Sequence, residues 1–353
     1  MNLNYNYLWI FIASFILSSL LTAVYIIFAK KFKLVDDPSG NPRKIHKKPI
    51  PLGGGVAIFL SLFIIVAFLA RQGLLIDQKI APQIIWGMFV ASLVLVISGY
   101  WDDKLSLKPR QSLVGPVLAI IIVMLAGLHI SYITNPAGGI LQIDKLWFGY
   151  LSLILTFLWL LGMTYTTKLL DGIDGLASSI CLVASLMIFI VSLTWDIKYS
   201  TTSFISLALA GSLLGFLAWN WHPAKVFLGE GGSTFIGFAL GVLAIISGSK
   251  IATALLVMGA PIIDVVLVIF RRLRQKKSIW QGDSEHLHFK LRQVGLSQSQ
   301  IVLFLAFLSV CFGTIAIFFS TKIKIIFLFL FIAFLLIFNY RINNYLNKKY
   351  EKL

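Results

Sequence analysis

Residues 7–33, YLWIFIASFILSSLLTAVYIIFAKKFK, run from Tyr7 to Ala29 without a charged side chain and then meet Lys30, Lys31 and Lys33. A helix that crosses a bilayer needs about 20 predominantly apolar residues, so this run is long enough by itself. No basic residue precedes it, as one would in a cleaved signal peptide, and it reads as a retained span. The cations that follow put the N-terminus outside and residues 30–52 in the cytoplasm.

Working outward, ten more apolar runs lie near residues 53–70, 83–100, 112–130, 148–163, 177–195, 202–219, 233–248, 251–270, 301–319 and 325–340. With 58% hydrophobic and only 12% charged residues, the 353-residue chain departs from a soluble domain's balance. The expected fold is therefore all-α: one polytopic helical membrane domain over residues 1–353, with about 11 transmembrane helices and a cytoplasmic C-terminus. Alternation makes residues 30–52, 100–112, 164–176, 220–232 and 271–300 cytoplasmic loops. Together with the tail they hold 23 of the 30 Lys and Arg, which supports this orientation. Positive-inside bias and attraction to anionic lipid account for most of the net charge of +16. No separate basic domain offers a nucleic-acid surface. Cys181 and Cys311 lie in or beside apolar runs without CxxC spacing and read as packing residues.

The acids concentrate at the cytoplasmic ends. Asp102 and Asp103 close the third run, in GYWDD. Adjacent helical residues point about 100° apart, so both face one site only at a helix end or in a turn. Two carboxylates this close repel, which a divalent cation relieves; Mg²⁺ suits because it takes one or two carboxylates and leaves room for phosphate oxygens. The plain alternative is a pair that caps the next turn and meets nearby lysines. In KLLDGIDGLA, the i, i+3 spacing puts Asp171 and Asp174 on one face, with Gly172 and Gly175 leaving space for a ligand. FLGEGGS places Gly229 and Glu230 at a helix start, where backbone N–H groups favour phosphate; an ordinary tight turn reads equally from these residues. Residues 271–300 carry DSEHLHFK, with His286 and His288 suited to phosphate hydrogen bonding or proton transfer, or simply to a solvated interfacial loop. Zinc is a poor fit, since no Cys or further His completes a tetrahedral set. The first loop, with Lys44 and His46, supplies cations for an anion or merely sets topology. Asp264 alone sits well inside a span and is expected to face the bundle in a pair. His129 and His222 are expected at span ends as interfacial residues.

Taken together, HKKPIPLGGG, GYWDD, LLDGIDGLA, FLGEGGS, PIIDVVLVIFRR and HLHFKL resemble the polyprenyl-phosphate N-acetylhexosamine-1-phosphate transferases of glycosyltransferase family 4. That family includes the WecA, TagO and MraY enzymes. The resemblance runs from about Asp37 to Arg292, and HKKPIPLGGG and HLHFKL look closer to the WecA/TagO branch. It implies transfer of a sugar 1-phosphate from a UDP-N-acetylhexosamine, GlcNAc first, to undecaprenyl phosphate, giving the lipid diphosphate sugar and UMP. It further implies Mg²⁺ or Mn²⁺, a multi-pass protein of the bacterial cytoplasmic membrane, and a role in starting a cell-envelope polysaccharide. By the same resemblance Asp102, Asp103 and His286 are catalytic, and Asp103 and Glu230 approach the metal. Lys44, His46, Arg110, Lys168, Asp171, Asp174, Gly229 and His288 bind substrate. A homodimer is left open. Three departures stand out: Lys168 where the family usually has Asn, Glu230 where it usually has Asp, and Phe289 where WecA-like members often have His. Two other readings compete, a carrier using Asp264 and a family member that binds without turnover.

Overall fold

The computed structural model describes residues 3–38, 48–75, 80–135, 139–195, 199–247, 251–278 and 285–350. The chain is a bundle of helices with two short hairpins. In order these are α1 (Leu3–Lys31), β1 (Val35–Asp36), β2 (Ile50–Pro51), α2 (Gly55–Arg71), α3 (Pro82–Leu105), α4 (Pro109–Ser112), α5 (Val114–Leu125), β3 (Tyr132–Thr134), β4 (Ile140–Gln142), α6 (Tyr150–Leu170), α7 (Leu176–Trp195), α8 (Thr201–Asn220), α9 (Gly229–Ile246), α10 (Ile251–Val257), α11 (Gly259–Arg274), α12 (Leu287–Val294), α13 (Gln298–Phe318) and α14 (Thr321–Tyr350). β1 pairs antiparallel with β2, Val35 opposite Pro51.

Every one of the eleven apolar runs falls on helix, but not all are full spans. Among the described residues eight helices are long and apolar enough to cross a membrane. A ninth follows if α10 and α11, bent by 75°, count as one broken span. The second and fourth runs form shorter apolar helices, Gly55–Arg71 and Pro109–Leu125. The expected eleven therefore becomes eight or nine by this measure. Apolarity over a window does not register where a helix ends early, as at Leu125, or breaks, as between Val257 and Gly259.

α1 shows why the bundle holds. Leu8, Ile12, Ile16, Leu20 and Val24 are exposed in one i, i+4 stripe, while Ile10, Ser14, Ser18 and Thr22 are buried in another. Large apolar side chains outward and small or hydroxylated ones inward invert the pattern of a soluble helix. Lipid tails give apolar residues no reason to turn inward, so close approach and interhelical hydrogen bonds drive association instead. The Ser18 hydroxyl donates to the Ser212 carbonyl at 2.6 Å, and the Ser61 hydroxyl donates to the Ser14 carbonyl at 3.0 Å, tying α1 to α8 and α2. A Cβ added to Gly211 would stand 2.5 Å from the Phe11 carbonyl, so α8 can lie this close to α1 only without a side chain there. α8 and α9 form the centre. α8 packs on α1 and α7, and α9 packs on α3 and α6. This arrangement brings the ends of α3, α6 and α8 to the start of α9.

Candidate functional site

The floor of the site is backbone. The Phe227 N–H donates to the Pro51 carbonyl at 2.8 Å, and the Gly54 and Gly55 N–H groups donate to the carbonyls of Phe227 and Leu228 at 2.9 and 3.0 Å. Residues 51–55 and the loop before α9 are thus stitched edge to edge. Such closeness needs missing side chains: a Cβ on Gly55 would fall 2.0 Å from the Gly232 Cα, and one on Gly99 2.1 Å from the Gly231 Cα. The Gly-rich turn therefore packs helices as well as exposing backbone.

Over this floor opens a cavity of about 830 Å³, walled by Asp103, Lys168, Asp171, Asp174, His222 and Glu230, with Lys48 and Lys225 at its edge. Asp103 also borders a second, smaller cavity of about 150 Å³ beside Tyr25, Lys33, Tyr100 and Lys104. Among the described residues it is the one predicted site residue shared by the two.

The two acids of GYWDD part company. Asp102 Oδ1 accepts from the Leu107 N–H at 3.2 Å, and its Oδ2 accepts from the Ser112 hydroxyl and from Lys168 Nζ, the latter at 3.3 Å. Asp102 thus caps the turn after α3, the plainer of the two readings of the pair. Asp103 turns instead to the start of α9, where the Glu230 N–H donates to both its oxygens, at 3.1 and 3.2 Å. A helix N-terminus favours negative charge, and the anion it receives is this carboxylate. A side chain at Gly229 would collide with it: φ is +78° and an added Cβ would lie 2.6 Å from Asp103 Oδ2. The N–H of Glu230 that the sequence offered to substrate phosphate is held by Asp103.

Lys168 joins the segments. Its ammonium stands 2.7 Å from the Ser112 hydroxyl, 3.3 Å from Asp102 Oδ2 and 2.9 Å from Glu230 Oε2. The contact to Glu230 is the shorter of the two ion pairs Lys168 makes with Asp102 and Glu230, and the Glu230 Oε2 atom is buried.

In the DGIDG turn, burial and the neighbouring charges of Glu230 and Asp174 push the Asp171 carboxyl up to about 7. Asp174 Oδ2 lies 2.6 Å from His222 Nδ1 and accepts the Ala224 N–H at 3.2 Å. Asn220 holds the same turn from behind: its Oδ1 accepts from Gly175 N–H at 3.1 Å and its side-chain amide donates to the Val226 carbonyl at 2.9 Å. Neither residue was expected at the site. His222 does follow the end of α8, where it stands in the cavity wall. Their one sequence signal is position, since WNWHP falls in the loop that leads into FLGEGGS.

Other expected residues lie elsewhere. Arg110 is exposed on α4 and borders neither cavity. Lys44 and His46 fall outside the described residues. His286 is buried at the N-cap of α12, with Nδ1 2.9 Å from Asp264 Oδ2, while Asp264 Oδ1 accepts the Leu287 N–H at 2.9 Å. Asp264 thus has the pairing its mid-span position demanded. His288 is also buried; an added Cβ at Gly172 would sit 2.3 Å from its Nε2. Burial lowers the His288 imidazole to about 4, so it is neutral at ordinary pH. Neither His borders the large cavity; Phe289 does. Cys181 and Cys311 are free thiols within helices, as packing residues would be.

Among the described residues no three His, Cys, Asp or Glu side chains converge as a ready-made metal cage. Hard oxygen donors facing a cavity still suit Mg²⁺, which keeps water and takes one or two carboxylates beside substrate phosphate. Asp103 and Glu230, whose Oε2 is shared with Lys168, would make such a donor pair.

The model of the family described as "Glycosyl transferase family 4" matches residues 85–248, a window that holds Asp102 through Glu230 and stops before Asp264. A probable undecaprenyl-phosphate N-acetylglucosaminyl 1-phosphate transferase of Bacillus subtilis is 31% identical over 333 residues, covering 93% of this chain and 88% of the relative. The chain belongs to glycosyl transferase family 4. Another family member, the undecaprenyl-phosphate alpha-N-acetylglucosaminyl 1-phosphate transferase of Thermotoga maritima, is 31% identical, covering 92% of this chain and 94% of its own. A phospho-N-acetylmuramoyl-pentapeptide-transferase of Halalkalibacterium halodurans is 29% identical, at 87% and 95%. These matches extend well beyond the family window, so membership belongs to nearly the whole chain.

Proposed function

We propose that this chain transfers a sugar 1-phosphate from a UDP-N-acetylhexosamine, GlcNAc first, to undecaprenyl phosphate, releasing UMP. The observation that carries this reading is the gathering of Asp103, Asp171, Asp174, Glu230 and Lys168 around one cavity at shared helix ends. Two relatives at 31% identity over most of both chains are named for this reaction with GlcNAc. The site lies at the cytoplasmic face of a bacterial inner membrane, by the positive-inside distribution of Lys and Arg. The product begins a cell-envelope polysaccharide.

In the reaction an oxygen of the lipid phosphate attacks the β-phosphorus of the donor. A new P–O bond forms, the P–O bond to the α-phosphate breaks, and UMP leaves with that electron pair. The acceptor's second pKa is near 6, so it is largely dianionic at neutral pH and needs no strong base. The barrier is then mainly one of position and charge. Asp103, between the two cavities, orients the groups that meet there. Asp171 and Asp174 hold the nucleotide side, with His222 and Asn220 fixing their turn. Lys48 and Lys225, at the cavity edge, attract the two anionic substrates. Asp103 and Glu230 would hold Mg²⁺ or Mn²⁺, which supplies charge neutralisation at the phosphates when bound.

A carrier mechanism has less support, because Asp264, the one mid-span acid, is already engaged by His286 and Leu287. The test is UMP release by the purified protein given undecaprenyl phosphate, Mg²⁺ and a panel of UDP-N-acetylhexosamines. Release that needs both lipid and metal is expected. A folded protein that binds donor but releases no UMP would make it a binding-only member of the family.

A further inference from the structure

We propose that Lys168 is a built-in cation of the site: a positioning residue that holds Glu230 and Asp102 and competes with the divalent ion for their charge. This rests on the metal-dependent transferase reading above. An ammonium has three N–H donors, and Lys168 has three oxygen neighbours: Ser112 Oγ at 2.7 Å, Glu230 Oε2 at 2.9 Å and Asp102 Oδ2 at 3.3 Å. All three belong to the protein, and Lys168 is only 18% exposed, so its charge is committed inward and not held out for substrate phosphate. The three neighbours come from α3, α4 and α9, and Lys168 from the last turn of α6. One cation therefore ties together the helix ends that build the cavity. Glu230 is the nearer and more exposed partner, 2.9 Å away and 38% exposed, whereas Asp102 is 3.3 Å away, 12% exposed and also held by Leu107 and Ser112. A divalent ion reaching Glu230 must draw its oxygen from Lys168, and Asp102 stays behind as the partner that keeps the lysine in place.

A neighbouring charge within about 4–6 Å moves an ionic equilibrium by roughly one to three decades. Mn²⁺ binding to the full-length protein in detergent, without nucleotide, would be read by the electron paramagnetic resonance of free Mn²⁺. Lys168→Met is expected to tighten binding by roughly tenfold, while Lys168→Arg, which keeps the charge, should stay within about twofold of wild type. In a Glu230→Gln background Lys168→Met should have much less effect than alone, since the competition runs through Glu230. Unchanged or weaker binding by Lys168→Met, equal behaviour of the Met and Arg variants, or full additivity with Glu230→Gln would overturn the role. Wild type binding no Mn²⁺ at millimolar concentration would instead overturn the metal-dependent reading, and this role with it. A purely structural lysine would change melting temperature in these variants without tightening the ion.

Discussion

The protein holds two polar clusters, each built on carboxylates at helix ends or within a helix, of opposite design. In one, Asp103, Lys168 and Glu230 line an open cavity, and Asp102 meets Lys168 from behind its wall. In the other, Asp264, His286 and the Leu287 N–H meet in a buried set in which both carboxylate oxygens are engaged. The difference separates binding from bracing. An open cluster carries uncompensated charge that a ligand can relieve. A closed cluster has its charge compensated internally and fixes α12 to the broken helix α11.

The sharpest test is Asp103→Asn. As a member of the open cluster facing both cavities, it should lose roughly 10²–10³-fold in UMP release, the range for removing one preorganised electrostatic group. Its melting temperature should barely move. Asp264→Ala should do the reverse. Hydrogen bonds to a charged group contribute about 1.5–3 kcal/mol each, so a loss of about 3 kcal/mol in stability is expected, seen by thermal or denaturant unfolding. Equal behaviour of the two variants would erase the distinction between the clusters.

A smaller effect concerns pH. The Asp171 carboxyl is raised to about 7 from its ordinary 3.8, so the folded protein binds a proton that the unfolded chain has lost across that interval. Stability from this group is therefore present below about pH 4 and is lost as pH rises through 7. In metal-free buffer the melting temperature should fall between about pH 4 and 7, and Asp171→Asn should flatten that slope. The smallest effect is expected at Arg110, exposed and outside both cavities. Arg110→Ala should change UMP release by no more than about twofold, as surface substitutions usually do. A large loss there would extend the open cluster onto α4.

Much of this was legible in the amino-acid chain. Asp103, Lys168, Asp171, Asp174 and Glu230 are all at helix ends where the apolar runs stop, and they meet at one cavity. Lys168 and Glu230, both departures from the usual family pattern, stand in a 2.9 Å contact. Less legible were the parting of Asp102 from Asp103 and the capture of the Glu230 N–H by Asp103. Both depend on the direction in which α3 ends relative to α9. The burial of His286 and His288 was also hidden, because alternating histidines in a polar loop look alike whether the loop stays outside or folds back. Asn220 and His222 were missed because WNWHP carries no acid or glycine pattern to mark it.

The sequence alone determined that this chain is a helical membrane protein with its acids gathered at one set of helix ends. The physical reason is the cost of placing charge or unpaired backbone in hydrocarbon, which acts on every residue separately and leaves its mark on local composition. Only the tertiary structure decided which acids face the cavity and which brace the bundle. That choice depends on distances of a few ångströms between helix ends brought together by Gly55, Gly99, Gly231 and Gly232, and no single segment contains it.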